Sequence, residues 1–346
     1  MSDLPRLQYP SIMNLANFGK LEIKLNNPSL FNEEFFITEK IHGSNFSIYY
    51  DVKTDEVFAA SRKRILDYDD NFYNYEKILD RYEGAVKRLG KEISRSVCIF
   101  GELFGGSYNH SDVARCNVRK VQTGVYYSPD IEFLAFDLAF FYEENDGWRI
   151  TTREALERHC LSVGIPVVPK LKVGNLAECL NYPNDFESGI YSLYNLPKIE
   201  NNICEGIVLS PVKPLFFATG TRLIIKSKND KFSESVHYKS KKRVSVVEDT
   251  PENVQEVIDL ASSYVNVNRL NNVVSKGEIN PITDKSFGPL LKLFNNDVYE
   301  ELLADEDVKK KIEDEFKASE KKILRKAINF QCKVVLKENF LELLDV

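Results

Sequence analysis

The periodicity of the apolar residues changes once along this chain, at Asp249-Thr-Pro251, and that change constrains the fold more than any other feature. Before it, short runs rich in β-branched and aromatic residues alternate with a few stretches of helical spacing. After it, only helical spacing remains. Glu34–Thr38, Asn45–Tyr50, Val57–Ser61, Ser96–Phe100, Ile131–Tyr142, Glu205–Ser210 and Arg222–Ile225 read as strands. Asn145-Asp-Gly147 is a hairpin-turn signal, with Trp148–Ile150 as the return strand. Asn71–Ile93 repeats Phe72, Tyr75, Ile78, Leu79, Tyr82 and Val86 at steps of three and four, which predicts a helix. Thr151–Cys160 predicts another, with Thr151 and Glu154 at capping-box spacing. Beyond Glu252, the apolar positions Val254, Val257, Ile258 and Ala261, and then a Lys/Glu-rich run over Val298–Leu344, predict a helical bundle with a solvated charged face. The expected architecture is a mixed α+β domain over residues 1–245, mainly antiparallel in its sheet, followed by an all-α domain over residues 246–346.

Composition removes several function classes. The 46 Lys+Arg against 52 Asp+Glu give a net charge of −6, unlike a protein that coats nucleic acid through bulk charge. The start shows no cationic segment followed by an apolar one, so no secretory signal is readable. The most apolar stretch, Phe133–Tyr142, is interrupted by Asp137 and too short for a bilayer, so no membrane partner is expected. Six cysteines without a C-x-x-C pair read as reduced thiols of a cytosolic protein, and four scattered histidines make no metal pattern. Charge is nonetheless local. Residues 226–243 carry +5, with Phe232 and Tyr238 interleaved, as suits a groove that follows a sugar-phosphate backbone.

One short pattern carries chemistry. In Lys40-Ile-His-Gly43 a lysine precedes a glycine by three residues, an arrangement suited to attack on a nucleotide phosphate with the backbone close to the ligand. The spacing recurs in Lys87-Arg-Leu-Gly90 and Lys285-Ser-Phe-Gly288, so alone it means little. Only Lys40 sits between two strands, where a rigid edge projects it into a cleft. Only Lys40 is followed, in order, by Arg62, Phe100-Gly-Glu102, Phe136-Asp137, Glu205-Gly206 and Lys226-Ser-Lys228. Alternation turns Lys226 and Lys228 to one side of their strand, where two ammonium groups make a phosphate site, and turns Phe136 and Asp137 to opposite sides.

Taken in this order, the motifs resemble the covalent nucleotidyltransferase superfamily of ligases and capping enzymes. They resemble most the bacteriophage RNA ligase 2 family and its trypanosome RNA-editing relatives. The resemblance rests on Glu39–Phe46, Phe100–Glu102, Phe136-Asp137, Glu205–Leu209, Arg222–Glu234 and Asn268–Lys276, and spans about residues 34 to 280. It implies an ATP-grasp-like ligase domain that uses ATP as AMP donor with Mg²⁺ or Mn²⁺, and acts on RNA with 3′-OH and 5′-phosphate ends, in nicked duplexes. Lys40 is then the nucleophile. Glu39, Ile41, Asn45, Arg62, Glu102 and Phe136 surround the nucleotide, with Glu102 on the ribose and Phe136 stacked on adenine. Lys226 and Lys228 hold the α-phosphate, Glu205 holds the metal, and Asn45, Arg62 and Arg269 touch RNA. His42 positions the nucleophile segment.

Two positions depart from the family pattern. Ser210 stands where the phage enzyme has a lysine after Glu205-Gly-Ile-Val-Leu209, and Ser61 replaces a basic residue before Arg62. Three other readings stay open on the residues. A DNA ligase or a capping guanylyltransferase usually carries aspartate where His42 stands and a β-barrel after the lysine pair. A catalytically silent RNA-binding subunit would not need the complete set of Lys40, Glu102, Glu205, Lys226 and Lys228. Arg269 also reads as a helix-face salt bridge.

Overall fold

The computed structural model describes residues 4–10, 12–15, 33–68, 70–145, 147–216, 222–232 and 250–344. The chain divides into two compact units, Met1–Lys231 and Phe232–Val346. The division expected at residues 245/246 falls in 233–249, outside the described residues, as do Tyr238, Lys239, Lys241, Lys242 and Arg243 of the basic run.

The first unit holds two sheets. One has the order β1-β11-β10-β2-β9, built from Met13–Asn14 (β1), Glu34–Glu39 (β2), Lys170–Asn175 (β9), Gly206–Pro211 (β10) and Ile225–Lys228 (β11). The other has the order β5-β4-β3-β6-β7-β8, from Ser44–Asp51 (β3), Glu56–Ser61 (β4), Ile65–Leu66 (β5), Val97–Ser107 (β6), Ser128–Tyr142 (β7) and Gly147–Ile150 (β8). All of these strand pairs are antiparallel except β1 with β11.

Each sheet buries its back on its own core. Phe35, Ile37, Ile207, Leu209 and Ile225 pack with Leu176 and Cys179 of the helix Leu176–Leu180 (α3). Phe46, Ile48, Ile99 and Phe133 pack under Glu76–Ile93 (α1) and Arg153–Ser162 (α2) through Ile78, Val86, Leu89 and Leu156. A further cluster joins the opposite faces: Tyr49, Ala60, Cys98 and Phe100 of the larger sheet meet Ile224 and Val208 of the smaller, with Tyr9 among them. That shared face is where the site lies.

Several local expectations are corrected. The first helix starts at Glu76, because Tyr73 (φ 52°) and Asn74 (φ 53°) take left-handed backbone angles that no helix continues. The cap of α2 is Thr152, which accepts from the Ala155 amide; Thr151 lies one residue outside. The last strand is shifted toward the C-terminus, so Lys226 and Lys228 lie within it rather than after it. The edge strand β9 was not foreseen, its sequence Lys-Leu-Lys-Val-Gly-Asn being too polar to read as one.

One departure matters for function. Along β7, Ile131, Phe133 and Ala135 face the helix-covered core, and then Leu138 does. The parity changes because Phe136 is an extra residue: Gly101 pairs with Ala135 while the adjacent Phe100 pairs with Asp137. This bulge overrides simple alternation and turns Phe136 and Asp137 to the same face, where both meet Tyr9.

The second unit contains Glu252–Tyr264 (α4), Val267–Ser275 (α5), Phe287–Leu303 (α6), Glu306–Lys310 (α7) and Ala318–Leu344 (α8), packed around Val254, Ile258, Leu270, Phe294, Leu302 and Leu336. The expected single run from Val298 is divided among α6, α7 and α8. Among the described residues no helix is long and apolar enough to cross a membrane.

Candidate active site

Lys40 ends β2, and its amide donates to the Gly206 carbonyl at 2.9 Å, tying it to the start of β10. In the next strand Gly206 pairs with Lys228, and Val208 pairs with both Lys226 and Thr38. Paired residues share a face, so Lys40, Val208, Lys226 and Lys228 project together while Ile225 and Ile207 fill the back. Gly206 makes the tight spacing possible. Its φ is +146°, and a Cβ there would stand 2.0 Å from the Ser227 carbonyl oxygen.

Glu205 organises the cations. Its Oε2 accepts from Lys40 Nζ at 2.8 Å and lies 3.2 Å from His42 Nδ1, while its Oε1 lies 2.7 Å from Lys228 Nζ. The carboxylate is 1% exposed. Burial alone would raise its pKa, but Lys228, Lys40 and His42 outweigh burial and hold it well below the usual carboxylate range. His42 therefore sits in the charged network itself, a closer part than the loop-positioning role expected of it.

The larger sheet supplies the facing wall. Asn45 on β3 stands directly opposite Glu102 on β6. Burial pushes the Glu102 carboxyl up to about 7, with Lys40, Lys228 and Arg62 pulling it back and Glu205 adding to the rise. The same four charges place Glu102 within electrostatic reach of the lysine network. Arg62 follows β4, and its carbonyl accepts from Arg6 Nη1 at 2.9 Å. Phe136 is half-buried, edge-on to Tyr9 with ring centroids 4.9 Å apart, and packs in the cluster that includes Val208. Behind it, Asp137 accepts from Tyr9 Oη and Arg222 Nη1, both at 2.5 Å. Asp137 is thus a buried support for the Phe136 wall.

Three expectations change at this level. The glycine of Lys40-Ile-His-Gly43 is required by its own fold: a Cβ on Gly43 would lie 2.2 Å from the Leu103 carbonyl oxygen and 2.9 Å from Glu102 Cγ. Glu39, expected beside the nucleotide, pairs with Ile207 and turns its side chain to the back of the sheet, because successive strand residues face opposite ways. There burial raises its carboxyl to about 7, against the pull of Ser188, the Gly189 amide and Tyr127. Its neighbour Ile41 is also buried. Arg269, expected at RNA, is 3% exposed within the second unit. Its guanidinium pairs with Asp297 at 2.9 Å and Glu301 at 3.4 Å and lies over the Tyr264 ring, so the salt-bridge alternative describes it.

The two departures from the family pattern have local roles. Ser61 Oγ donates to the Arg64 carbonyl and closes a turn, and Ser210 is buried opposite Phe36. The two other Lys-x-x-Gly matches lie at helix positions, Lys87–Gly90 in α1 and Lys285–Gly288 at the start of α6. Sequence reasoning missed Tyr9, Tyr127 and Val208. Each is an apolar or aromatic residue without charged or nucleophilic chemistry to mark it, and no local signal sets them apart.

Two antiparallel sheets facing each other, with a lysine at one edge held by a buried glutamate and a second lysine, define a ligase domain of the nucleotidyltransferase fold. The model of the RNA ligase family matches residues 33–228, and that of the T4 RNA ligase 2 C-terminal region matches residues 247–334. The chain belongs to the RNA ligase family. It is 27% identical to the mitochondrial RNA-editing ligase 2 of Trypanosoma brucei brucei over 81% of this chain and 79% of that one. To the mitochondrial RNA-editing ligase 1 it is also 27% identical, over 73% of this chain and 66% of that one. A Naegleria gruberi RNA ligase solved with ATP and Mn superposes with a TM-score of 0.44 at 16% identity, over 66% of this chain and 58% of that one.

Proposed function

We propose that this chain is an ATP-dependent RNA ligase that seals 3′-OH/5′-phosphate nicks in duplex RNA. The observation that carries the reading is the Lys40–Glu205–Lys228 network facing Glu102, Asn45 and Phe136 across one cleft. Attack needs a neutral amine, so the Lys40 proton leaves to water before Nζ bonds to phosphorus, and the contact to Glu205 at 2.8 Å holds the side chain in place until then. Lys40 Nζ then bonds to the α-phosphorus of ATP as the bond to pyrophosphate breaks. Lys226 and Lys228, which share one face of β11, supply the cations for charge building on the α-phosphate. A 5′-phosphate oxygen of RNA next displaces Lys40 from the AMP phosphorus. Finally the 3′-OH attacks the activated 5′-phosphorus and AMP leaves. Each step is an in-line displacement at phosphorus, so one cation-lined cleft serves all three.

Phe136 offers a face for adenine, Glu102 an acceptor for the ribose hydroxyls, and Arg62 and Asn45 polar contacts at the nick. Among the described residues no three His, Cys, Asp or Glu side chains cluster to hold a metal. That suits Mg²⁺, which takes one or two carboxylates and completes its shell with phosphate oxygens and water. Glu205 is the carboxylate that would hold it, and the ion, when bound, neutralises phosphate charge.

Incubation with α-labelled ATP and Mg²⁺ should label the wild-type protein covalently and leave Lys40→Ala unlabelled. Labelling by GTP in place of ATP would replace this reading with a capping enzyme. Joining of nicked duplex RNA in preference to single strands tests the substrate geometry, and equal joining of both would remove the duplex from the proposal.

A further inference from the structure

We propose that Tyr127 is a positioning residue for the Lys40 nucleophile, anchoring the Lys40-Ile-His42 turn from beneath through the His42 amide and the Glu39 carboxyl. The inference rests on the ligase reading for its kinetic half only. Tyr127 lies just before β7 and is 1% exposed, its ring edge-on to Phe104 at 5.3 Å. Its hydroxyl accepts from the His42 backbone amide at 3.0 Å. The phenolic proton needs an acceptor, and two carboxylates are near, Glu39 and Glu205. Both oxygens of Glu205 are already partnered, by Lys40 and His42 on one and by Lys228 on the other. Glu39 is the one left for the proton, and its carboxyl is influenced by Tyr127 together with Ser188 and the Gly189 amide.

The proposed chain runs from the His42 amide to the phenol and on to Glu39, whose Oε1 is buried without a hydrogen-bond partner and suits the phenolic proton. It joins the residue after next from the nucleophile to the residue before it. Lys40 is the hinge between these two anchors. The turn is also held at Lys40, by the bond to Gly206, at His42, whose ring meets Glu205, and at Gly43, by its passage against Leu103. Glu39 turns to the back of β2, opposite the face that carries Lys226 and Lys228, so the contribution of the network falls on the geometry of attack rather than on binding.

Tyr127→Phe removes one oxygen and keeps the ring. We expect the first-order rate of adduct formation with labelled ATP to fall about 10-fold or more, with half-saturation by ATP within 2-fold of wild type. Glu39→Ala should lose rate comparably, and Glu39→Gln, which keeps an acceptor oxygen, should recover much of that loss. A readout independent of activity is amide exchange: the peptide containing His42 should exchange about 10-fold faster in Tyr127→Phe, with global unfolding unchanged. An unchanged exchange rate overturns the network. A changed half-saturation with unchanged rate makes Tyr127 a binding residue and overturns positioning. If wild type forms no adduct but exchange still accelerates in the variant, the anchor stands and the ligase reading fails.

Discussion

At the scale of single residues, the site is a set of buried charges whose ionisation is set by their neighbours. Glu205 and Glu102 show opposite outcomes of the same burial. Glu205 has Lys40, Lys228 and His42 in contact and its carboxyl is held well below the usual range, whereas Glu102 meets Lys40, Lys228 and Arg62 only at longer range and is raised to about 7. The Glu102 shift couples to stability with a definite sign. A carboxyl raised in the folded state favours folding while it is protonated, so its contribution is complete below about 4.5 and is lost as pH rises through about 7. The size is about 3 kcal/mol between these limits. Urea unfolding of wild type and Glu102→Gln should therefore converge near pH 4.5, with the variant gaining on wild type as pH rises to 8. Parallel stability curves over that range would show that Glu102 is already ionised in the folded protein.

At the scale of elements, the bulge in β7 decides what faces the cleft. Phe136 faces the cleft by alternation from Ala135, and the extra residue brings Asp137 to that same face, where it is held with Tyr9 and Arg222. Asp137 and Arg222 are both nearly buried, so removing the carboxylate leaves an uncompensated guanidinium. Asp137→Ala should lower unfolding stability by about 3–5 kcal/mol, measured by urea denaturation, and lower the yield of adduct through loss of the Phe136 wall. A change below about 1 kcal/mol would mean that the pair is not formed in solution.

The same element marks how far the sequence could be read. The run Ile131–Tyr142 announces a strand through its periodicity, while the order of the motifs and the family resemblance it carries name Lys40, Glu102, Phe136, Glu205, Lys226 and Lys228 as candidates. The bulge was not legible, since it depends on the register against Gly101 in another strand. Nor was the inward turn of Glu39, although alternation from Lys40 already contained it once the strand limits were known. Arg269 looked the same in sequence whether it met RNA or Asp297, because its partner lies 28 residues away on another helix.

At the scale of the whole molecule, the chain separates into a unit that contains the lysine network with its facing wall and a helical unit with its own core. A protein ended at residue 245 keeps Lys40, Asn45, Arg62, Glu102, Phe136, Glu205, Lys226 and Lys228. It should form the covalent AMP adduct at a rate within about 10-fold of the full chain, read by labelled ATP. Loss of the adduct in a truncated protein that still unfolds cooperatively would mean that the helical unit takes part in the first chemical step. Within the first unit, the support behind Phe136 joins positions far apart in the chain: Tyr9 and Arg222 reach Asp137 across 128 and 85 residues. During synthesis, Asp137 leaves the ribosome roughly ten seconds before its arginine does, at the usual rate of translation. Its carboxylate must wait in water for that interval, so the support beside Phe136 is among the last parts of the unit to set, and a nascent chain has no finished wall there until Arg222 has been made.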